Sequence, residues 1–336
     1  MDNILKKIKS ITIKDVKRFI SNNAIAIMII IMALYVGFTK DNFFNGRNLH
    51  NLAKNTSVRF LVAMGVSGCL ITKGTDLSAG RQIGFAACIA GTLLQRADYA
   101  NKFFPDLPEY PLILVIIGVV ALTALIGIIN GIVVAYFKVP PFIATLGMQT
   151  LVYGITLIYS RAEPIGAFRE DYTNLSSGTF LNISYLIWFT IIVAVIMWFI
   201  YNYTRHGKYM YAIGGNENAA EVSGINTNRV KIRIYATASI LYALAGILLA
   251  PKSGGASVNL GQGWELEAIA ACTIGGVSTN GGVGKISGIL IGVLVFEVLK
   301  TSLQFLGVQS NYTYIAQGIV IIVAVAMDIR KYVAKK

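Results

Sequence analysis

Residues Leu112–Phe137 read LILVIIGVVALTALIGIINGIVVAYF and contain no charged side chain. A helix rises about 1.5 Å per residue and the hydrocarbon core of a bilayer is about 30 Å thick, so this one stretch is long enough to cross it. It has company: Phe142–Ser160, Asn182–Thr204, Ile234–Pro251 and Thr301–Met327 are equally free of Asp, Glu, Lys and Arg. Of the 336 residues, 55% are apolar and 13% charged, where soluble chains carry about 25% charged residues. The runs exclude a soluble two-domain protein and imply an all-α, polytopic membrane protein.

Working outward, the first apolar run, Ala24–Phe38, follows a leader holding Lys6, Lys7, Lys9, Lys14, Lys17 and Arg18. No small-residue cleavage site follows it, which favours an uncleaved first helix over a signal peptide. The other candidate spans are Ser57–Thr72, Ile83–Leu94, Leu112–Phe137, Phe142–Tyr159, Ser184–Tyr203, Ile234–Ala250, Ile269–Val277, Ile286–Leu306 and Tyr312–Met327. About ten transmembrane helices put both termini on one side. Alternating the connections gives that side 19 Lys and Arg against 6 Asp and Glu, and the opposite side 8 against 7. Positive charge collects on the cytoplasmic side, so both termini are expected there. The expected layout is a cytoplasmic basic leader (1–21), one transmembrane domain (22–328) with a cytoplasmic connection at 204–233, and a basic tail (329–336).

The net charge of +13 is explained by this placement at segment ends and gives no reason to invoke nucleic acid. Cys69, Cys88 and Cys272 are far apart inside apolar runs, and the two histidines, His50 and His206, lie in polar connections. That pattern suits small buried hydrophobes and offers no metal site, cofactor or catalytic set.

Three segments, Ser57–Thr72, Ile83–Leu94 and the piece near Ile269, look too short or broken for simple spans. They flank two Gly-rich turns, Lys73–Arg81 and Gly275–Gly284. Irregular backbone at membrane depth is tolerated where protein buries it or a watery cavity adjoins it, and paired interruptions point to a transport path. Gly282-Val-Gly284-Lys285 is not a phosphate loop: Thr279 stands where that motif needs Gly, and Ile286 where it needs Ser or Thr. Gly284, Gly288 and Gly292, like Gly127 and Gly131, form small-residue ridges suited to close helix packing.

Within 204–233, Asn216–Ile225 reads as a short helix closed by Gly224, with Ala219, Ala220, Val222 and Ile225 as a small apolar face. A docking knob for a cytoplasmic partner is one reading of it and a helix lying on lipid the other. Asp76, beside Ser78 and Arg81, is an acid near membrane depth and so a functional candidate, unless pairing with Arg81 or Lys73 makes it structural. Glu265 and Glu267 suit a helix N-terminus, and Glu297 and Lys300, three apart, are expected to pair. Asn130, Gln149 and Gln317 are uncharged polar groups in apolar helices, used either for interhelical hydrogen bonds or to line a sugar-sized path.

Three of these stretches together resemble one family. Gly74-Thr-Asp-Leu-Ser-Ala-Gly80, Ala212-Ile-Gly-Gly-Asn216 with Ala219-Ala220 and Ser223-Gly224, and Glu265–Gly276 with Gly281-Gly-Val-Gly284 are similar to the signatures of permease subunits of bacterial ABC sugar importers of the ribose/galactose type. The likeness runs from about residue 20 to the end, in the same order. Thr72–Gln82 and Ala100–Pro105 resemble its galactose and methyl-galactoside branch; another sugar such as ribose is the alternative cargo. Asn218 departs from the Glu that often precedes the Ala pair.

The resemblance implies an inner-membrane permease that is not itself an enzyme. It implies pairing with a second copy, supply by an external sugar-binding protein, and an ATPase subunit docked on Gly214, Gly215, Asn216, Ala219, Ala220, Glu221, Ser223 and Gly224. Asp76, Ser78, Arg81, Asn130, Gln149 and Gln317 stand as pathway candidates. Two other classes compete: an ion-driven secondary transporter or channel, which has no need of the 204–233 helix, and a lipid-modifying enzyme, for which no acid/base or nucleophile set exists.

Overall fold

The computed structural model describes residues 24–333, with side chains through Met327. The leader 1–21 lies outside the described residues. The described chain forms thirteen helices and one small hairpin. They are α1 (Ala24–Thr39), α2 (Gly46–Ile71), α3 (Ala79–Leu93), α4 (Leu112–Ala135), α5 (Pro141–Ser160), α6 (Glu170–Ser177), α7 (Tyr185–Tyr203), α8 (Arg205–Gly215), α9 (Glu217–Val222), α10 (Thr227–Ser253), α11 (Trp264–Ile274), α12 (Ile286–Phe305) and α13 (Ser310–Val333). Each of the ten apolar segments lies on a helix. Six helices, α4, α5, α7, α10, α12 and α13, are long and apolar enough to cross a membrane.

α2 is the axis. From Thr56 to Ile71 almost every side chain on it is buried, and α7, α10, α11 and α12 pack around it. The sequence pattern had cut this helix at Ser57, yet it begins at Gly46, where the Asn45 side chain accepts the Arg47 N–H. Its first turns carry Arg47, Asn48, His50, Asn51 and Lys54, and this polar start concealed a helix whose remainder is core. α10 is buried over most of its length, whereas α4, α5, α7 and α13 expose most of theirs. Their exposed residues include Ile113, Ile117 and Leu125 on α4, Ile143 and Ile158 on α5, Ile192 and Phe199 on α7, and Ile322 on α13. Apolar patches of that extent are untenable in water and ordinary against lipid.

Close approach of α4 to α10 rests on glycine. A Cβ at Gly127 would strike the Tyr235 carbonyl and Ser239, and one at Gly131 the Ile232 backbone. Gly288 and Gly292 meet Gly275, just past the end of α11, and Ala271 of α11 in the same way. Gly284 departs from the expected ridge. It precedes α12, lies in the turn, and faces the Ile71 side chain instead.

Two outer features were not anticipated. The connection 160–183 contains α6, whose Tyr172 is fully buried and donates to the Ile247 carbonyl at 2.8 Å. Thr179–Phe180 pairs with Ile183–Ser184 across Leu181 and Asn182, both at positive φ, as a two-residue hairpin turn requires. The all-α expectation therefore omits one short hairpin, and the expected tail is helical through Val333.

Gly127→Ala is expected to overpack the α4–α10 seam and cost about 1–3 kcal/mol, lowering the melting temperature in detergent. Gly118→Ala, on the same helix with open space at its Cβ position, should leave it unchanged or raise it slightly.

Candidate functional site

Both Gly-rich turns end helices inside the fold. α2 closes with Lys73 at φ 61°, the Lys73 N–H bonded to the Leu70 carbonyl and the Gly74 N–H to that of Cys69. α11 closes in the same way: Gly276 stands at φ 84°, its N–H on the Thr273 carbonyl and that of Val277 on Cys272. This paired bonding is the Schellman arrangement, which satisfies helix-end carbonyls without water.

One carbonyl of α2 remains, that of Ile71, and it accepts the Gly282 N–H at 2.8 Å. Gly214, at the end of α8, lies over the same spot. A Cβ there would strike the Ile71 oxygen and stand 2.5 Å from the Gly282 nitrogen. Lys73 Nζ donates to the Gly215 carbonyl at 3.2 Å, and the Tyr211 hydroxyl donates to the Gly284 carbonyl at 2.8 Å. Backbone thus meets backbone where the α2 end, the 275–284 turn and the 204–233 connection converge. Ile71 and Tyr211 were not singled out by sequence, and Lys73 was named there only as a candidate partner of Asp76.

Beyond this junction the connection turns outward. Asn216 caps α9 by accepting the Ala219 N–H at 3.1 Å. Gly224 at φ 83° closes it, with the Ile225 N–H returning to the Ala220 carbonyl. The expected apolar face is split: Ala220 is buried and Ile225 half-buried, while Ala219, Val222, Ser223 and Gly224 stand outside, Val222 with 91% of its surface exposed. Glu217 pairs with Lys231 at 2.6 Å and Glu221 accepts from Thr227 at 2.6 Å. These bonds fasten α9 to the first turns of α10.

The turn between α2 and α3 carries the second cluster. Asp76, Ser78 and Gln82 are fully buried and Asn130 almost so. The Ser78 hydroxyl donates to Asp76 Oδ1 at 2.5 Å and accepts from Gln82 Nε2 at 2.8 Å and Asn130 Nδ2 at 3.0 Å. The Ser78 N–H reaches the same Asp76 oxygen at 3.0 Å. Tyr242 brings its hydroxyl toward that carboxylate without closing a hydrogen bond. The Thr145 hydroxyl of α5 accepts the Leu77 N–H at 3.1 Å, and Tyr235 of α10 donates to the Thr75 carbonyl at 3.3 Å. One turn thereby joins α3, α4, α5 and α10.

Asp76 pairs with neither basic neighbour. Arg81 points away, donating to the Val258 carbonyl and Asn259 Oδ1 with its guanidinium 4.0 Å over the Tyr153 ring. Gln149 is half-buried on α5, and Gln317 is buried on α13, which packs on α11 and α12. Neither joins the Asp76 cluster.

A separate polar cluster binds α2, α11 and α12. Glu297 and Lys300 approach to 3.8 Å as their spacing implies, but their nearer partners are Arg59 Nε at 2.5 Å and Glu267 Oε2 at 2.7 Å. Arg59 also pairs with Glu267 and lies 4.2 Å over Trp264. Two cations and two anions cancel, which lets four charges share a largely buried site. Glu265 is buried where a Cβ on Gly80 would strike it. Among the described residues no group of three or more His, Cys, Asp or Glu could hold a metal ion.

A family model described as the permease component of the branched-chain amino acid transport system matches residues 48–325, a range that takes in every element of this site. The chain belongs to this permease family. The galactose/methyl galactoside import permease protein of Escherichia coli is 42% identical over 96% of this chain and 98% of its own length. The protein of the same name in Haemophilus influenzae is 43% identical over 94% and 96%. The ribose import permease protein of Escherichia coli is 35% identical over 91% and 92%. No solved structure matches the chain. The permease is a transport component rather than an enzyme.

In this permease Gly214→Ala is expected to part the Gly282 N–H from the Ile71 carbonyl. A cost of about 1.4 kcal/mol shifts an equilibrium tenfold, so uptake should fall at least about tenfold. Gly215→Ala, next in sequence with open space at its Cβ position, should transport normally. Ser78→Ala removes the hydroxyl shared by Asp76, Gln82 and Asn130 and should cost about 1–3 kcal/mol of stability, read by thermal denaturation of purified permease.

Proposed function

We propose that this permease is the membrane subunit of an ATP-driven importer whose cargo is galactose or a methyl galactoside, handed over by an external sugar-binding protein. About ten membrane helices, α1, α2, α3, α4, α5, α7, α10, α11, α12 and α13, some of them short or interrupted, place both termini on the inner side of the bacterial cytoplasmic membrane. The Lys and Arg bias of the connections supports that orientation. The higher identity to galactose/methyl galactoside permeases than to ribose permeases supports the choice of sugar.

The observation that carries the reading is the build of the 204–233 connection. One end, α9, presents Val222 and Ala219 to the outside, and the other, Gly214, lies in backbone contact with both interrupted-helix turns. A self-sufficient carrier needs no such part. An ATPase subunit docked on Ala219, Val222, Ser223 and Gly224 moves α9. α8 carries the push to Ile71 and Gly282, and the ends of α2 and α11 shift together. A switch of this kind needs two packings of similar free energy, and glycine-to-backbone contacts supply surfaces that can slide without repacking side chains.

A second copy of the permease completes the pathway. The half-exposed position of Gln149 on α5, beside the open Gly147 and Gly154, supports it as a pathway residue. The mutual hydrogen bonds of Asp76, Ser78 and Asn130 support a role in holding the pathway's shape.

The test is reconstitution of the permease with its ATPase and a galactose-loaded binder. Uptake should require ATP, and Val222→Glu should lose most of it while the permease still inserts. ATP hydrolysis or uphill transport by the permease alone would sink the proposal.

A further inference from the structure

α2 is closed by a residue that its own backbone does not suit. Lys73 stands at φ 61°, in the left-handed region that glycine enters freely and a residue with a Cβ only under strain. The other helices that close with the same paired bonding show what this position ordinarily holds. α9, α10, α11 and α12 place Gly224, Gly254, Gly276 and Gly307 there, each at positive φ. In α2 the glycine comes one residue later, as Gly74, whose N–H completes the pair on the Cys69 carbonyl. Among the described helices α5 is the other exception, and its Arg161 also puts a long cation to use, over the Phe103 ring.

What the lysine adds is reach. Its stem passes over the 275–284 turn, where a Cβ on Gly281 would stand 2.5 Å from Lys73 Cγ. Its ammonium continues to the last residue of α8 and donates to the Gly215 carbonyl at 3.2 Å. That carbonyl lies at the negative end of the α8 dipole, where a cation is favoured. The nearby acids are engaged elsewhere: Asp76 with Ser78, Glu217 with Lys231 and Glu221 with Thr227. Among the described residues the ammonium forms no ion pair. One side chain thus leaves the end of α2, crosses the 275–284 turn and fastens the joint between α8 and α9. Glycine at this position would relieve the backbone and lose both contacts.

We propose that Lys73 is a positioning residue for transport: its ammonium holds the α8–α9 joint against the end of α2, so that displacement of α9 reaches the turn carrying Asp76 and Ser78. The strained backbone is the consequence of keeping that contact. The inference rests on the importer reading above and names a residue through which the push is passed on.

Hydrogen exchange of the purified full-length permease reads the contact without transport. Lys73→Gly and Lys73→Met should each speed amide exchange at Asn216 and across α9 by about threefold, the loss of an exposed hydrogen bond, and Lys73→Arg should keep it slow. Lys73→Gly should melt no lower than the unaltered permease, because the left-handed backbone is relieved; this separates a lost contact from a folding defect. In the complex with the ATPase and a galactose-loaded binder, both variants should move at least about threefold less sugar per ATP hydrolysed. The binder concentration giving half-maximal uptake should not change, and Lys73→Arg should retain most of the transport. Full transport per ATP by Lys73→Met would overturn the proposal, as would unchanged exchange in α9. A fall in the melting temperature of Lys73→Gly that matches its loss of transport would also overturn it, leaving the lysine a structural role alone. The importer reading is judged separately, by whether the unaltered permease takes up sugar only with ATP, and it stands if the lysine variants behave like the unaltered protein.

Discussion

A helix that stops inside a membrane leaves carbonyls that water cannot reach, and they must find partners within the protein or cost several kcal/mol. In this permease α2 and α11 both end where other segments pack over their last carbonyls. Each seals most of its end with a Schellman pair, and the Ile71 carbonyl takes the Gly282 N–H as its partner. The rest of the arrangement follows from that bond. It brings the 275–284 turn to the end of α2, and it leaves room over the joint for Gly214 alone, because any side-chain carbon at that position would lie on the Ile71 oxygen. The end of the 204–233 connection is thereby seated on the two broken helices.

The same requirement explains the cluster around Ser78. The chain between α2 and α3 cannot be solvated, so its groups are taken up by side chains from four helices: Asn130 of α4, Thr145 of α5, Tyr235 of α10 and Gln82 of α3. Asp76, which a sequence reading weighs as either a pathway residue or an ion-pair partner, pairs with neither Lys73 nor Arg81 and accepts twice from Ser78 within this turn. The charged cluster of Arg59, Glu267, Glu297 and Lys300 shows the same economy at another seam, since its charges cancel among α2, α11 and α12.

Much of this architecture was legible in the chain because lipid imposes a simple code. Uncharged runs such as Leu112–Phe137 announce spans, and the glycine pairs at Lys73–Arg81 and Gly275–Gly284 announce where spans break. The code fails where a helix meets both phases or lies wholly in protein. α2 begins among Arg47, His50 and Lys54 and reads as a loop until Ser57. α6 is too short and polar to register, although Tyr172 is fully buried beneath it. Glu297 finds its strongest partner in Arg59, over two hundred residues away, which no helical spacing can indicate.

The chain by itself determined that it lives in lipid, which segments are helical, where the positive charge gathers and which glycines matter, because hydropathy, charge and small size are local properties. Tertiary structure alone decided what those glycines and polar groups touch. Gly127 abuts the Tyr235 carbonyl, Gly214 covers Ile71, Gly284 faces a side chain instead of a helix ridge, and Arg81 turns to Val258 and away from Asp76. Each is a contact between segments remote in sequence, set by how the helices cross. A pattern along one strand of residues carries no record of the crossing.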